Sequence, residues 1–438
     1  MIAILENTPR LATNQIEPLH DLERHLIQEQ CAIERWFRCQ WQQTPPPFYG
    51  SVDLRNAGFK LAPVDTNLFP AGFNNLNPSH ATLYITAIQH YLDQYHPSLE
   101  RLLLIPENHT RNGFYLESLA QLSELLREAG LDLRIASWAL SAPQEFSLPS
   151  GGKLQMEPLE RRGERLGAGD FDPELILLNN DLSGGVPEIL KGISQEFTPP
   201  LAAGWTSRRK SQHFAHYHHL AQEFAQVIDI DPWFIDPAFR QCSQVDFLHA
   251  EGMDCLVESV DSVLQEIREK YQQYGIQSRP FVIVKADAGT YGMGVMTAHS
   301  GAELRELNRK ARTRMAKSKE GLAISDVFIQ EGVYTFEQTP EDFVAEPVVY
   351  LLGQQVLGGF YRVHRERGVD ENLNAPGAHF EPMAFVEPGI NPCRKSAPDA
   401  PANRHYAYGV IARLALLAAA REIQDWQQGR ILACRLPS

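Results

Sequence analysis

Residues 282 to 296 read VIVKADAGTYGMGVM, a run of β-branched residues that ends at Lys285 and then breaks into glycines spaced G-x-x-G-x-G at Gly289, Gly292 and Gly294. The order of these parts constrains the fold. A P-loop sets its lysine directly after the glycines, and none follows here. A dinucleotide-binding turn sets the glycines between the first strand and its helix, with an acid about 20 residues further on. A kinase-type glycine loop precedes the strand that carries the lysine. In this chain the lysine comes first. Glycines let backbone N–H groups approach phosphate oxygens without a Cβ in the way, and lysine supplies a compact positive charge. A β-hairpin with a glycine-rich turn and a solvated lysine would use the same residues.

The rest of the chain supplies the context. Residues 17–42 carry Leu19, Leu22, Leu26, Ile27, Ile33, Trp36 and Phe37 at helical spacing, and the prolines of TPPP end that helix. The stretch to residue 80 is dense in Gly, Pro, Asn and Asp and reads as short strands joined by loops. From 81 to 190 helix and strand patterns alternate, which predicts a parallel sheet with helices packed over it. Polar Glu107, Asn179, Asn180 and Asp181 fall where its strands stop, the usual ligand side of such sheets. A basic, aromatic helix spans 200–225 and an amphipathic one 257–274. Beyond residue 280 come the VIVK strand, the glycine loop, a helix over 301–317, three strands and a last helix over 403–428. The fold class is therefore α/β with α+β lobes. At 438 residues the chain exceeds the roughly 250 to 300 that one hydrophobic core supports. Three segments follow from these patterns, 1–80, 81–250 with the parallel sheet, and 251–438 with the final helix; the resemblance drawn below implies that the first is part of the catalytic core, the second a substrate domain and the third the nucleotide-binding lobes.

A formal charge of −14 and a pI near 5.6 argue against a general nucleic-acid binder, which needs a basic face. Six cysteines without a C-x-x-C pair read as thiols of a reducing compartment rather than as a disulfide framework or a zinc site. MIAILENTPR lacks the pattern of a secretory signal, and the apolar stretch 408–420 carries Arg413 and is short of the ~20 residues that span a bilayer. The expectation is a cytoplasmic protein with no membrane partner.

Lysine, glycine loop, helix, then a strand ending in an acidic residue is an order that resembles the ATP-grasp superfamily. That resemblance implies that Lys285 holds the α-phosphate of ATP and that the glycine loop closes over the triphosphate. FIQEGV (328–333) is similar to the hinge that holds adenine, with Gln330 or Glu331 at the amino group. GGFYRVH and NLNAPGA resemble the segment in which an arginine, here Arg362, faces the γ-phosphate or an acyl phosphate, with Asn372 or Asn374 in the active-site loop. The usual terminal E-x-N pair for Mg²⁺ is missing after residue 400. In eukaryotic glutathione synthetase, a permuted relative, that pair precedes the nucleotide half, and KLAPVDTNLFPAGFNN resembles its segment, with Asp65-Thr66-Asn67 in place of Glu-x-Asn. Side chains at i and i+2 of a strand share a face, so Asp65 and Asn67 could reach one ion, with Asp287 as a third ligand. An Asx-turn is the commoner use of such residues. SVDLRNAGFK resembles the substrate segment of the same enzymes, which makes Arg55 the candidate for a substrate carboxylate; a surface salt bridge is its plain alternative. The basic run Arg208, Arg209, Lys210 is either a second anion site or a solvated helix start.

Over about residues 48–385, the marks FYGSVDLRNAGFKLAPVDTNLFPAGFNNLN, LLIPENHTRN and VIVKADAGTYGMGVM resemble the uncommon bacterial glutamate-cysteine ligases built on an ATP-grasp fold. The resemblance implies a ligase of glutathione biosynthesis that takes glutamate, cysteine and ATP, with Mg²⁺, and is compatible with a homo-oligomer. Another ATP-grasp ligase, such as a glutathione synthetase, and a non-catalytic nucleotide-binding protein are the rival readings.

Overall fold

The computed structural model describes residues 17–108, 111–288, 294–316, 324–339, 341–383 and 404–429. Two helices, Glu17–Gln28 and Gln30–Gln43, occupy the stretch where the periodicity predicts one, with Glu29 between them. Ile33, Phe37 and Trp41 form the buried stripe of the second. The strands are β1 (Tyr49–Asn56), β2 (Leu61–Asn67), β3 (Arg101–Pro106), β4 (Asp132–Ser137), β5 (Gln144–Ser147), β6 (Lys153–Pro158), β7 (Glu160–Arg162), β8 (Arg165–Gly167), β9 (Leu175–Asn179), β10 (Glu196–Thr198) and β11 (Phe239–Cys242). They continue with β12 (Val282–Ala286), β13 (Met296–Ala298), β14 (Val327–Glu331), β15 (Val344–Leu352), β16 (Gln355–His364) and β17 (His379–Pro382).

The alternating middle of the chain folds as a sheet in the order β10-β9-β3-β4-β6-β5, parallel throughout except at the β5 edge. Its central strands are buried on both faces, which is why they read as continuous apolar runs. Leu102 and Leu104 pack with the helices Ala81–Tyr95 and Gly113–Glu128, while Leu103 and Ile105 face the opposite core. The polar groups at the strand ends are hydrogen-bonded within the protein. Asn179 donates to the Pro70 carbonyl at 2.8 Å and Asn180 to that of Pro106 at 3.0 Å, while Glu107 accepts the Asp181 N–H at 2.6 Å.

A second sheet, β17-β16-β15-β1-β2, is antiparallel and joins strands nearly 300 residues apart in the chain. The long C-terminal helix Arg404–Gln427 lies behind it and against the helix Lys210–Ile228. Its residues from Tyr406 to Ala420 are almost wholly buried. A helix that is apolar all round must be covered all round, and this one is. The third sheet, β11-β14-β12-β13, is antiparallel and is backed by the helix Met253–Tyr274. In place of one helix over 301–317 there are two short ones, Ala302–Arg305 and Arg309–Met315. The Asn308 side chain starts the second by accepting the Ala311 N–H at 2.9 Å.

Candidate active site

The second and third sheets meet at a cleft. One face of the antiparallel sheet is its floor, because period-2 alternation turns Asp53 and Arg55 of β1, Asp65 of β2, Glu346 of β15 and Arg362 of β16 to the same side. The other face, with Val52 and Leu54, is fully buried in the core beneath. Lys285 of β12 and Gln330 of β14 form the opposing wall, and Lys210, Asn372 and Asn374 complete the lining.

Lys285 is 8% exposed, and its Nζ donates to the Val64 carbonyl at 2.7 Å and to Gln330 Oε1 at 2.9 Å. The first of these bonds depends on a β-bulge. Asp53 pairs with Asp65 but Leu54 pairs with Pro63, so Val64 is the extra residue and its carbonyl is released from the ladder toward the lysine. Burial drives the Lys285 pKa down to about 8, and Asp65 only partly offsets it. Gln330 Nε2 is buried and has no hydrogen-bond partner among the described residues.

On the floor, Glu346 bridges two arginines. Arg55 Nε donates to it at 2.6 Å and Arg362 Nη1 to its other oxygen, while Arg362 Nη1 also reaches Asp53 at 2.8 Å. The remaining Arg55 nitrogens donate to the carbonyls of Val369 at 3.2 Å and Glu371 at 2.6 Å, which ties the 369–374 loop to the floor. Burial raises the Asp53 carboxyl in spite of Arg362. Burial acts the same way on Glu346, but Arg55 and Arg362 prevail and its pKa is lowered. Asp65 follows the second pattern: burial is outweighed by Lys210, which it meets at 3.0 Å, and by Lys285, so its carboxyl stays ionised. Arg362 Nε, like the Gln330 amide, is buried and unpartnered among the described residues. Two orphaned N–H donors facing a cleft are costly unless something that accepts hydrogen bonds enters it.

The fold therefore brings together Arg55, Asp65, Lys285, Gln330, Arg362, Asn372 and Asn374 of the residues singled out in the sequence. Three others have different work. Asn67 makes a local turn: its Oδ1 accepts the Phe69 N–H at 2.9 Å and its Nδ2 donates to the Phe69 carbonyl at 3.3 Å, the Asx-type turn that its residue type favours. Asp287 is fully buried and is engaged within the protein. Its oxygens accept the Ser211 N–H and hydroxyl, each at 2.7 Å, and the Gln241 amide at 3.0 Å, so it anchors the start of the helix Lys210–Ile228. Glu331 lines the cleft, but its carboxylate is taken up by Lys60 at 2.8 Å, the Ala238 N–H at 2.9 Å and Trp233 Nε1 at 3.1 Å. Gly289 and Gly292 lie outside the described residues. Gly294 has φ +63°, a left-handed backbone conformation that favours glycine.

Asp53 and Glu346 are site residues that motif reading missed. Glu346 had a signal, a lone charge within the otherwise apolar strand VAEPVVYLL. Asp53 stands two residues before Arg55 and so shares its face. Lys210 resolves the ambiguity of the basic run: it faces the cleft and lies 3.9 Å from the Trp205 ring centroid, while Arg208 is buried on Glu422 at 2.9 Å and Thr66 O at 2.6 Å. No cluster of three or more metal-ligating side chains occurs among the described residues. None of their helices is long and apolar enough to cross a membrane.

A crystal structure of a protein provisionally named gamma-glutamylcysteine synthetase from Methylobacillus flagellatus KT is 55% identical, covers 96% of this chain and 99% of its own, and superposes with a TM-score of 0.88. D-alanyl-alanine synthetase A from Vibrio cholerae O1 biovar eltor str. N16961 is 10% identical over 72% of this chain and 81% of its own, with a TM-score of 0.32. An apo glutathione synthetase-like effector, GSS30, from Globodera pallida is 10% identical over 85% and 84%, with a TM-score of 0.39. No curated protein matches the chain. Residues 23–423 match the glutamate-cysteine ligase family, and with that extent of agreement the chain belongs to it.

Proposed function

We propose that the cleft joins the γ-carboxylate of glutamate to the amine of cysteine through a γ-glutamyl phosphate, in the first step of glutathione biosynthesis, and that it does so in the cytoplasm. Membership of the family entails use of ATP. The observation that carries the reading is the arrangement of Arg55, Lys210, Lys285 and Arg362 around one cavity whose buried amide and guanidinium donors lack acceptors.

ATP transfers its terminal phosphoryl group to the glutamate carboxylate, ADP departs, and the cysteine amine displaces phosphate to leave γ-glutamylcysteine. Each step moves negative charge between oxygens, so positioned cations do most of the catalysis. Lys285 would meet the polyphosphate, with Gln330 Nε2 donating to the nucleotide beside it. Arg362 would face the phosphoryl group in transit. Of the five N–H donors of Arg55, three are committed within the protein, which leaves two for a substrate carboxylate. Asp65 and Asp53, opposite one another in register, are the carboxylates that would hold Mg²⁺, and bound there it would neutralise phosphate charge. Asn372 and Asn374, whose loop is tied to Arg55, are placed to contact glutamate.

The test is ADP release by the purified protein with Mg-ATP, comparing glutamate plus cysteine with γ-glutamylcysteine plus glycine. Turnover with the first pair alone supports the proposal. Turnover with the second pair alone would move the enzyme one step along the pathway and refute the substrate assignment.

A further inference from the structure

Cys242, at the end of β11, and Cys255, in the first turn of the helix Met253–Tyr274, bring their sulfurs to 2.9 Å. A disulfide bond is 2.03–2.05 Å long, so the two atoms need to close by less than about 1 Å to be joined. The two thiols differ in a way that sets an order of events. Cys255 is exposed, whereas Cys242 is buried, with Ser259 Oγ at 3.1 Å on its other side. Burial, and then the neighbouring Cys255 thiol, push the Cys242 thiol up to about 12, so it keeps its proton and does not react first. The thiol that a molecule from solvent can reach is Cys255.

We propose that Cys242 and Cys255 form a thiol–disulfide exchange site whose reactant is a low-molecular-weight disulfide, R–S–S–R. The Cys255 thiolate attacks one sulfur of the reactant, the R–S–S–R bond breaks, and the departing R–S⁻ takes a proton. This leaves a mixed disulfide, Cys255–S–S–R. The Cys242 sulfur then attacks the Cys255 sulfur, the second R–S⁻ departs, and the proton of Cys242 passes to it. Two protein thiols have been oxidised to one disulfide and one small disulfide reduced to two thiols, so no further oxidant is needed.

The bond staples β11 to the Met253–Tyr274 helix at a point that bears on the cleft. β11 pairs with β14, with Phe239 opposite Gln330 and Cys242 opposite Val327. Gln241, the neighbour of Cys242, holds Asp287 just beyond Lys285. The inference stands on the sulfur pair itself and is independent of which amine and carboxylate the cleft joins.

The experiment incubates the full-length protein with cystine or glutathione disulfide, blocks the remaining thiols, and maps the products by mass spectrometry. Loss of two of the six thiols, a crosslinked peptide containing Cys242 and Cys255, and full recovery of both thiols with dithiothreitol are expected. Cys242→Ser should stop at the mixed disulfide on Cys255. Cys255→Ser, at an exposed position, should leave Cys242 unmodified. Oxidation confined to the exposed Cys31 and Cys39, or loss of the Cys242 thiol in the Cys255→Ser protein as fast as in the unaltered one, would overturn the proposal.

Discussion

At the scale of single residues, Lys285 carries the sharpest prediction. Its folded pKa of about 8 lies below its ordinary value of 10.5, so the free enzyme loses this cation as pH rises through 8. kcat/KM for ATP should therefore fall above pH 8, since that ratio reports the ionisation of free enzyme. Lys285→Arg, always charged, should abolish the falling limb even at a lower plateau, and a limb that persists unchanged in the variant would assign it to another group. The stability effect has the opposite sign. Between about pH 8 and 10.5 the unfolded chain holds the proton that the folded one has released, so this lysine makes the protein more stable with rising pH across that window. Asp65 and Asn67 are separated by a second experiment. Asp65→Ala should lower kcat by about 100-fold or more, the scale of losing one preorganised electrostatic group, whereas Asn67→Ala should cost about 1 kcal/mol of stability with turnover nearly kept. Equal losses of turnover in the two variants would restore Asn67 to the metal site.

At the scale of elements, Asp287 shows how a motif-adjacent carboxylate can be structural. Its carboxylate receives the N–H and hydroxyl of Ser211, in the first turn of the helix that carries Lys210 and Phe214, and it fixes that helix to the strand bearing Lys285. Asp287→Ala leaves buried donors without acceptors and should destabilise the fold by about 1–3 kcal/mol, measured by denaturant unfolding. Unchanged stability with lost turnover would return it to the list of ligands. The strand and helix patterns of this region were legible because periodicity reports burial locally. The bulge at Val64, which aims a carbonyl at Lys285, was not, since nothing within LAPVDTN distinguishes a bulged strand from a regular one until its partner is known.

At the scale of the whole molecule, the C-terminal helix reaches back to the cleft. Glu422 takes Arg208 at 2.9 Å and His213 at 2.7 Å, and Arg208 in turn holds the Thr66 carbonyl, next to Asp65. Burial works against the Glu422 carboxylate, but Arg208 and His213 prevail and bring its pKa down to about 2. Its stabilising contribution is thus present above the ordinary carboxylate range and is lost as pH falls toward 2. Glu422→Ala strands a buried guanidinium and should cost about 3–5 kcal/mol, read as a shift in the denaturant midpoint. A variant as stable as the parent would show that the ion pair is not needed to hold the helix.

The sequence by itself determined the parallel sheet and the lysine strand followed by glycines, because periodicity and motif order are local properties that a single chain displays, and the family resemblance made Arg55, Asp65, Lys285 and Arg362 candidates that the fold sets around one cleft. Only the tertiary structure decided which carboxylates face the cleft. Asp65, Asn67, Asp287 and Glu331 are alike as polar residues near motifs, and what separates them is where the fold leaves them: Asp65 lines the cleft beside Lys210, Asn67 turns back on Phe69, Asp287 holds Ser211 and Gln241, and Glu331 is held by Lys60, Trp233 and Ala238. Glu346 and Asp53 escaped motif reading because the pairing of β1 with β15, nearly 300 residues apart, sets them with Arg55 and Arg362 on the cleft floor, and no short-range pattern records such a pairing.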